Sequence, residues 1–104
     1  MDETKYETAM QIIMHAGNAK SAALMAIDAA AEGNFEEAEA QLKEADAEMQ
    51  QAHHVQFDLT QAEACGESVE VNIILVHAED HLAMAIMAGD FARRFIALYK
   101  SMAE

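Results

Sequence analysis

No proline interrupts this chain, and glycine is scarce at four residues, of which Gly33 and Gly66 mark candidate breaks. Without proline nothing forces a break in a helix, and alanine, the commonest residue here, is the best helix former. Glu, Gln, Lys, Leu and Met are also abundant, which is the composition of long helices. A length of 104 residues allows one domain, 1–104, with a single and not generous core.

The chain divides at two places. Thr4 with Glu7 three residues on has the form of a capping box. After it Tyr6, Met10, Ile13, Gly17, Leu24 and Ala31 follow at helical spacing, with Ser21 interrupting. Gly33-Asn34 reads as a stop and a restart, with Gly33 as C-terminal cap, Asn34 as the next N-cap and Glu37 at the capping-box position. The second helix has the cleanest seam: Phe35, Ala38, Leu42, Ala45, Met49, Ala52, Gln56 and Leu59. Gly66 and Ser68 mark the next break, and a third stripe follows through Ile73, Val76, Asp80, Met84, Met87, Phe91, Leu98 and Met102. Val69–Ile73 alternates as a strand would, but no partner strand exists, so it reads as a loop leading into the third helix. The expectation is an all-α, antiparallel up-down-up three-helix bundle with helices at about 4–32, 34–64 and 70–102, each roughly 45 Å long.

Hydrophobic residues make up 53% of the chain and aromatic residues 6%, more apolar surface than one small bundle hides, which favours an oligomer. The formal net charge of −13 disfavours nucleic acid and anionic lipid as partners, and favours basic proteins or cations. No apolar run is long enough to span a bilayer, Met1-Asp2-Glu3 is unlike a signal peptide, and Cys65 stands alone. These features fit a cytoplasmic protein.

Inside the apolar stretch from Val69 to Met87 lies the pentad His77-Ala78-Glu79-Asp80-His81. His77 and His81 are four apart and Asp80 is three from His77, so all three share one helix face. Folding the chain at Gly33 and near Gly66 brings Gln56 level with His77, His53 level with Asp80, and His15 near His53. The five histidines then fall in one layer. Pattern alone leaves three readings open. His77 can act as a nucleophile, with Gln56, His53 and His81 in support. The His/Asp cluster can instead make a non-enzymatic metal-binding bundle, or the histidines can be satisfied core residues. The chain has no glycine-rich phosphate loop, no Gly-x-Ser-x-Gly elbow and no cysteine pair.

Val76-His77-Ala78-Glu79-Asp80-His81-Leu82 resembles the hallmark His-Ala/Gly-Gln-Asp-His-Leu of the lactose/cellobiose (diacetylchitobiose) family of enzyme IIA proteins. These belong to the bacterial phosphoenolpyruvate-dependent sugar phosphotransferase system. Ala16-Gly17-Asn18-Ala19-Lys20-Ser21 is similar to the family's Ala-Gly-x-Ala-Arg-Ser, Glu32-Gly33-Asn34-Phe35 to its Gly-Asp-Phe turn, and Ala52-His53-His54-Val55-Gln56 to its Ala-His-x-x-Gln. Ala97-Leu98-Tyr99-Lys100 resembles the family's end, so the likeness spans the chain in order.

The resemblance implies a homotrimeric phosphocarrier for uptake of a β-disaccharide. His77 would accept a phosphoryl group from the phosphohistidine of HPr and pass it to a cysteine of the cognate enzyme IIB. Contact with the membrane would come only through the transporter, enzyme IIC. Asp80 would face the trimer axis, where three carboxylates would surround a divalent cation, Mg²⁺ being the expected ion. The chain departs from the family pattern where Glu79 replaces Gln, Ala83-Met84 replaces Met-Thr, and Lys20 replaces Arg.

Overall fold

The computed structural model describes residues 3–103. They form three helices, α1 (Glu3–Ala31), α2 (Phe35–Ala64) and α3 (Ile73–Ala103), in a rod of 54 × 21 × 18 Å. The up-down-up bundle expected from the sequence is present, with α1 packed along both other helices and α2 and α3 touching each other more sparingly.

Both turns are built the same way. Gly33, at φ +81°, lets the Asn34 N–H reach Ala29 O and the Gly33 N–H reach Ala30 O. Gly66, at φ +90°, repeats the pattern with Glu67 N–H to Ala62 O and Gly66 N–H to Glu63 O. Each is a Schellman closure, in which a left-handed residue recovers carbonyls that a helix end would leave unpaired. Asn34 then caps α2, its Oδ1 accepting the Glu37 N–H at 3.2 Å. Thr4 is not a cap. The helix already runs through it, and the Thr8 hydroxyl donates back to Thr4 O. The third helix starts at Ile73 rather than 70, where Asn72 Oδ1 accepts the Leu75 N–H at 3.0 Å.

The core is built from small residues. Among the described residues, fourteen of the nineteen buried apolar side chains are alanines, the others being Ile12, Leu42, Leu75, Leu82 and Ile96. The α2 seam faces inward as expected, with Ala38, Leu42, Ala45 and Ala52 buried and Phe35, Met49, Gln56 and Leu59 half-buried.

The other two stripes are reversed. In α1 the buried line is Ala9, Ile12, Ala16, Ala19, Ala23, Ala26 and Ala30, while Tyr6, Met10 and Leu24 are exposed. In α3 it is Leu75, Ala78, Leu82, Ala85, Ala92 and Ile96, while every apolar member of the expected stripe from Ile73 to Met102 lies in solvent, 43–80% exposed. Most of the large apolar side chains of these two helices thus face outward and most of the inward ones are small, leaving a long apolar face uncovered in the single chain.

Candidate functional site

His77 lies in the second turn of α3 and is exposed, with His81 one turn on and half-buried. Their Nε2 atoms are 3.1 Å apart and the rings meet edge to face, with centroids 4.5 Å apart. One Nε2 must carry the proton and donate while the other accepts, so the two tautomers are coupled. If His81 donates, His77 keeps its proton on Nδ1 and its Nε2 lone pair accepts from His81, becoming available as a nucleophile once that hydrogen bond opens. The i, i+4 spacing read from the sequence is what brings the rings together.

The wider histidine layer does not form. His15 turns from α1 to α2, where Nδ1 meets Glu48 Oε2 at 2.6 Å. His53 and His54 are exposed on α2, and His53 borders a groove with Asp46, Met49, Gly89 and Arg93, well along α3 from His77. The cause is the second connection. Eight non-helical residues, 65–72, separate α2 from α3, so their register slides by about one helical turn from a fold centred near Gly66. Arg93 pairs with Asp46, and Lys100 with Glu39 at 2.9 Å, exposed pairs that accompany that register.

Gln56 consequently meets Glu79 and not His77. Burial pushes the Glu79 carboxyl above its ordinary range, and hydrogen bonding from the Gln56 side chain pulls it partly back. The Gln56 Oε1 atom is buried and no donor reaches it among the described residues. An acceptor in that position would be satisfied by an amide or a protonated carboxyl at residue 79.

Asp80 is exposed and sits in line with the outward apolar stripe of α3, as its only charged member. Among the described residues no three His, Cys, Asp or Glu side chains converge where they could hold an ion. The single-chain metal cluster considered from the sequence is therefore not formed. Two features escaped the sequence reading. The His15–Glu48 pair lies 33 residues apart and left no local signal. The Asn72 cap had one, an asparagine immediately before an apolar run.

Comparison with known proteins agrees with this geometry. The family described as "PTS system, Lactose/Cellobiose specific IIA subunit" matches residues 7–100. The lichenan-specific phosphotransferase enzyme IIA component of Bacillus subtilis is 43% identical over 104 residues, covering 100% of this chain and 94% of that protein. The crystal structure of the cellobiose-specific enzyme IIA from Bacillus anthracis superposes with a TM-score of 0.95 at 39% identity, covering 99% of this chain and 94% of that one. The IIA(chitobiose)–HPr complex of the Escherichia coli N,N'-diacetylchitobiose branch gives a TM-score of 0.83 at 29% identity, with both chains fully covered. No helix among the described residues is long and apolar enough to cross a membrane. With its hallmark pentad on α3 and its fold shared end to end, the chain belongs to the lactose/cellobiose family of phosphotransferase-system enzyme IIA components.

Proposed function

We infer that this protein is the cytoplasmic phosphocarrier of a β-disaccharide uptake system, with His77 as the residue that carries the phosphoryl group. The observation that supports this best is the His77–His81 pair, which puts an exposed imidazole, its tautomer coupled to its neighbour's, at the hallmark position. The likeness to a IIA protein solved in complex with HPr supports HPr as the donor.

In the first step the His77 nitrogen attacks phosphorus, and the P–N bond to the donor's phosphohistidine breaks with its electron pair returning to that imidazole. In the second, a cysteine thiolate of enzyme IIB attacks the same phosphorus, a P–S bond forms, and His77 leaves as a neutral imidazole. Neither step needs strong acid–base assistance. Alignment and charge-tolerant donors do most of the work. His81 supplies such a donor: its Nε2–H fixes the His77 tautomer and then turns to a phosphoryl oxygen. Within one chain Gln56 acts on Glu79, and His53 makes no hydrogen bond or ring contact with His77.

The proposed assembly is a homotrimer covering the apolar faces of α1 and α3. Asp80 fits a shared divalent cation, because each chain offers one exposed carboxylate there and no complete ligand set of its own. Bound, the ion would neutralise three convergent carboxylates and hold the copies together.

The test is a relay of phosphoenolpyruvate, enzyme I and HPr. It should label the protein with an acid-labile phosphoryl group and fail to label His77→Gln. Labelling of His77→Gln at the wild-type level would move the site elsewhere. Asp80→Leu should lose the ion from the assembly, and full metal occupancy in that variant would remove Asp80 from the ligand set.

A further inference from the structure

Among the described residues Phe57 is the only large apolar side chain of α2 that stands in solvent, at 58% exposure. Its surroundings are unusual for so acidic a chain. Six of the thirteen residues from 36 to 48 are Asp or Glu, and none of the nine from 49 to 57 is. Phe57 borders two shallow hollows, one reaching His53, His54 and Gln56, the other Gln61, Ala64 and Cys65. Among the described residues no Asp, Glu, Lys or Arg lines either hollow. Asp58 and Glu63 lie exposed just outside them.

An exposed aromatic ring in a charge-free patch with an acidic rim has the make-up of an interface centre, where charges are depleted and aromatic residues enriched. Its height along the bundle follows from its neighbours. The Gln56–Glu79 hydrogen bond puts Phe57 near the level of Ala78, and the Asp46–Arg93 and Glu39–Lys100 pairs put it near that of Leu82. The patch therefore stands within about 8 Å of the His77 level along the bundle axis. A protein that brings its own reactive atom to His77 covers about 800 Å², a footprint roughly 30 Å across. The rod is only 21 Å wide, so the α2 flank at that height falls within reach. In the proposed trimer the outward faces of α1 and α3 are covered by copies, which leaves α2 for a different protein.

We propose, resting on His77 as the phosphoryl acceptor, that the α2 patch centred on Phe57 is a docking surface for phospho-HPr, with the Phe57 ring as its anchor. The patch fits a partner with an apolar centre ringed by Lys and Arg, the centre seated on Phe57 and the ring meeting Asp58 and Glu63. A second copy of this chain is a poor occupant. Two identical patches face to face would bring their acidic rims together, on chains that each carry a formal charge of −13. HPr is the occupant because the related IIA(chitobiose) protein forms a complex with HPr, and a donor to His77 has to work at this height.

Initial rates of phosphoryl uptake at varied phospho-HPr provide the test, with the wild type, Phe57→Ala and Phe57→Tyr. Phe57→Ala should raise KM for phospho-HPr about tenfold and leave kcat within about twofold, as loss of a docking contact does. Phe57→Tyr keeps the ring and should recover most of that loss. Circular dichroism and light scattering should show the same helical content and assembly for all three. An unchanged KM in Phe57→Ala would overturn the docking surface and leave His77 as acceptor. A KM raised only in the next transfer, to enzyme IIB, would give the patch to that protein and overturn HPr as its occupant. A changed assembly in Phe57→Ala would mean that a second copy covers the ring, and would overturn the proposal too. A wild type that takes no phosphoryl group from phospho-HPr would overturn the acceptor and the patch together.

Discussion

The Nε2 atoms of His77 and His81 stand 3.1 Å apart, so each ring dictates where the other keeps its proton. In the proposed relay this makes His81 a positioning residue for His77. Its removal should cost one hydrogen bond in the transfer, about 1.4 kcal/mol or roughly tenfold in rate. His81→Ala should therefore accept phosphoryl groups about tenfold more slowly in rapid-quench assays, with unchanged helical content. His81→Gln, which keeps an N–H donor, should recover part of that loss. Equal rates for all three proteins would leave His81 without a role.

Glu79 offers a test through pH. Its carboxyl is raised above the ordinary value of 4.5, chiefly by burial, so the folded protein holds that proton more tightly than the unfolded chain. The stability this contributes is full below the unfolded value and is lost as pH rises through the folded one. Glu79→Gln removes the charge and places an amide beside the unpaired Gln56 Oε1. The variant should match or slightly exceed the wild-type Tm near pH 4 and exceed it by a growing margin towards pH 7. A margin independent of pH would mean that Glu79 is not held away from its charged form.

The outward face of α3 should decide assembly and leave the fold of each chain alone. Met87 is 54% and Phe91 50% exposed, so a charge at either is solvated in the isolated bundle. Met87→Glu combined with Phe91→Glu should give a helical monomer by light scattering and circular dichroism. A trimer surviving both changes would place the contact on another face.

Gly33 and Gly17 should respond to substitution in opposite directions. Gly33 sits at φ +81°, where an L side chain is strained, so Gly33→Ala should destabilise by about 1–2 kcal/mol. Gly17 is helical and an added Cβ there meets nothing within 4 Å, so Gly17→Ala should stabilise by about 0.5–1 kcal/mol. Denaturant titrations of the two variants settle the signs.

These residues also show what the sequence reveals and where it stops. The three helices, both glycine turns and the α2 seam are legible because each depends on local chemistry. The buried faces of α1 and α3 are not, because periodicity finds an apolar face without saying what covers it. Two apolar faces run along each of these helices, one towards the core (nearly all alanine in α1, alanine with Leu75, Leu82 and Ile96 in α3) and one of large residues towards solvent. The His77–His81 contact is legible because four residues on a helix make one turn. Its expected neighbours His53 and Gln56 depend on the length of the connection through residues 65–72, which composition does not set.

In the proposed relay His77 carries the phosphoryl group on the nitrogen facing His81. The most direct measurement is nitrogen–phosphorus coupling by NMR on ¹⁵N-labelled protein charged through the relay. One phosphoryl group per chain is expected, coupled to Nε2 of His77. Coupling to His15, His53, His54 or His81, or to Nδ1 of His77, would contradict it.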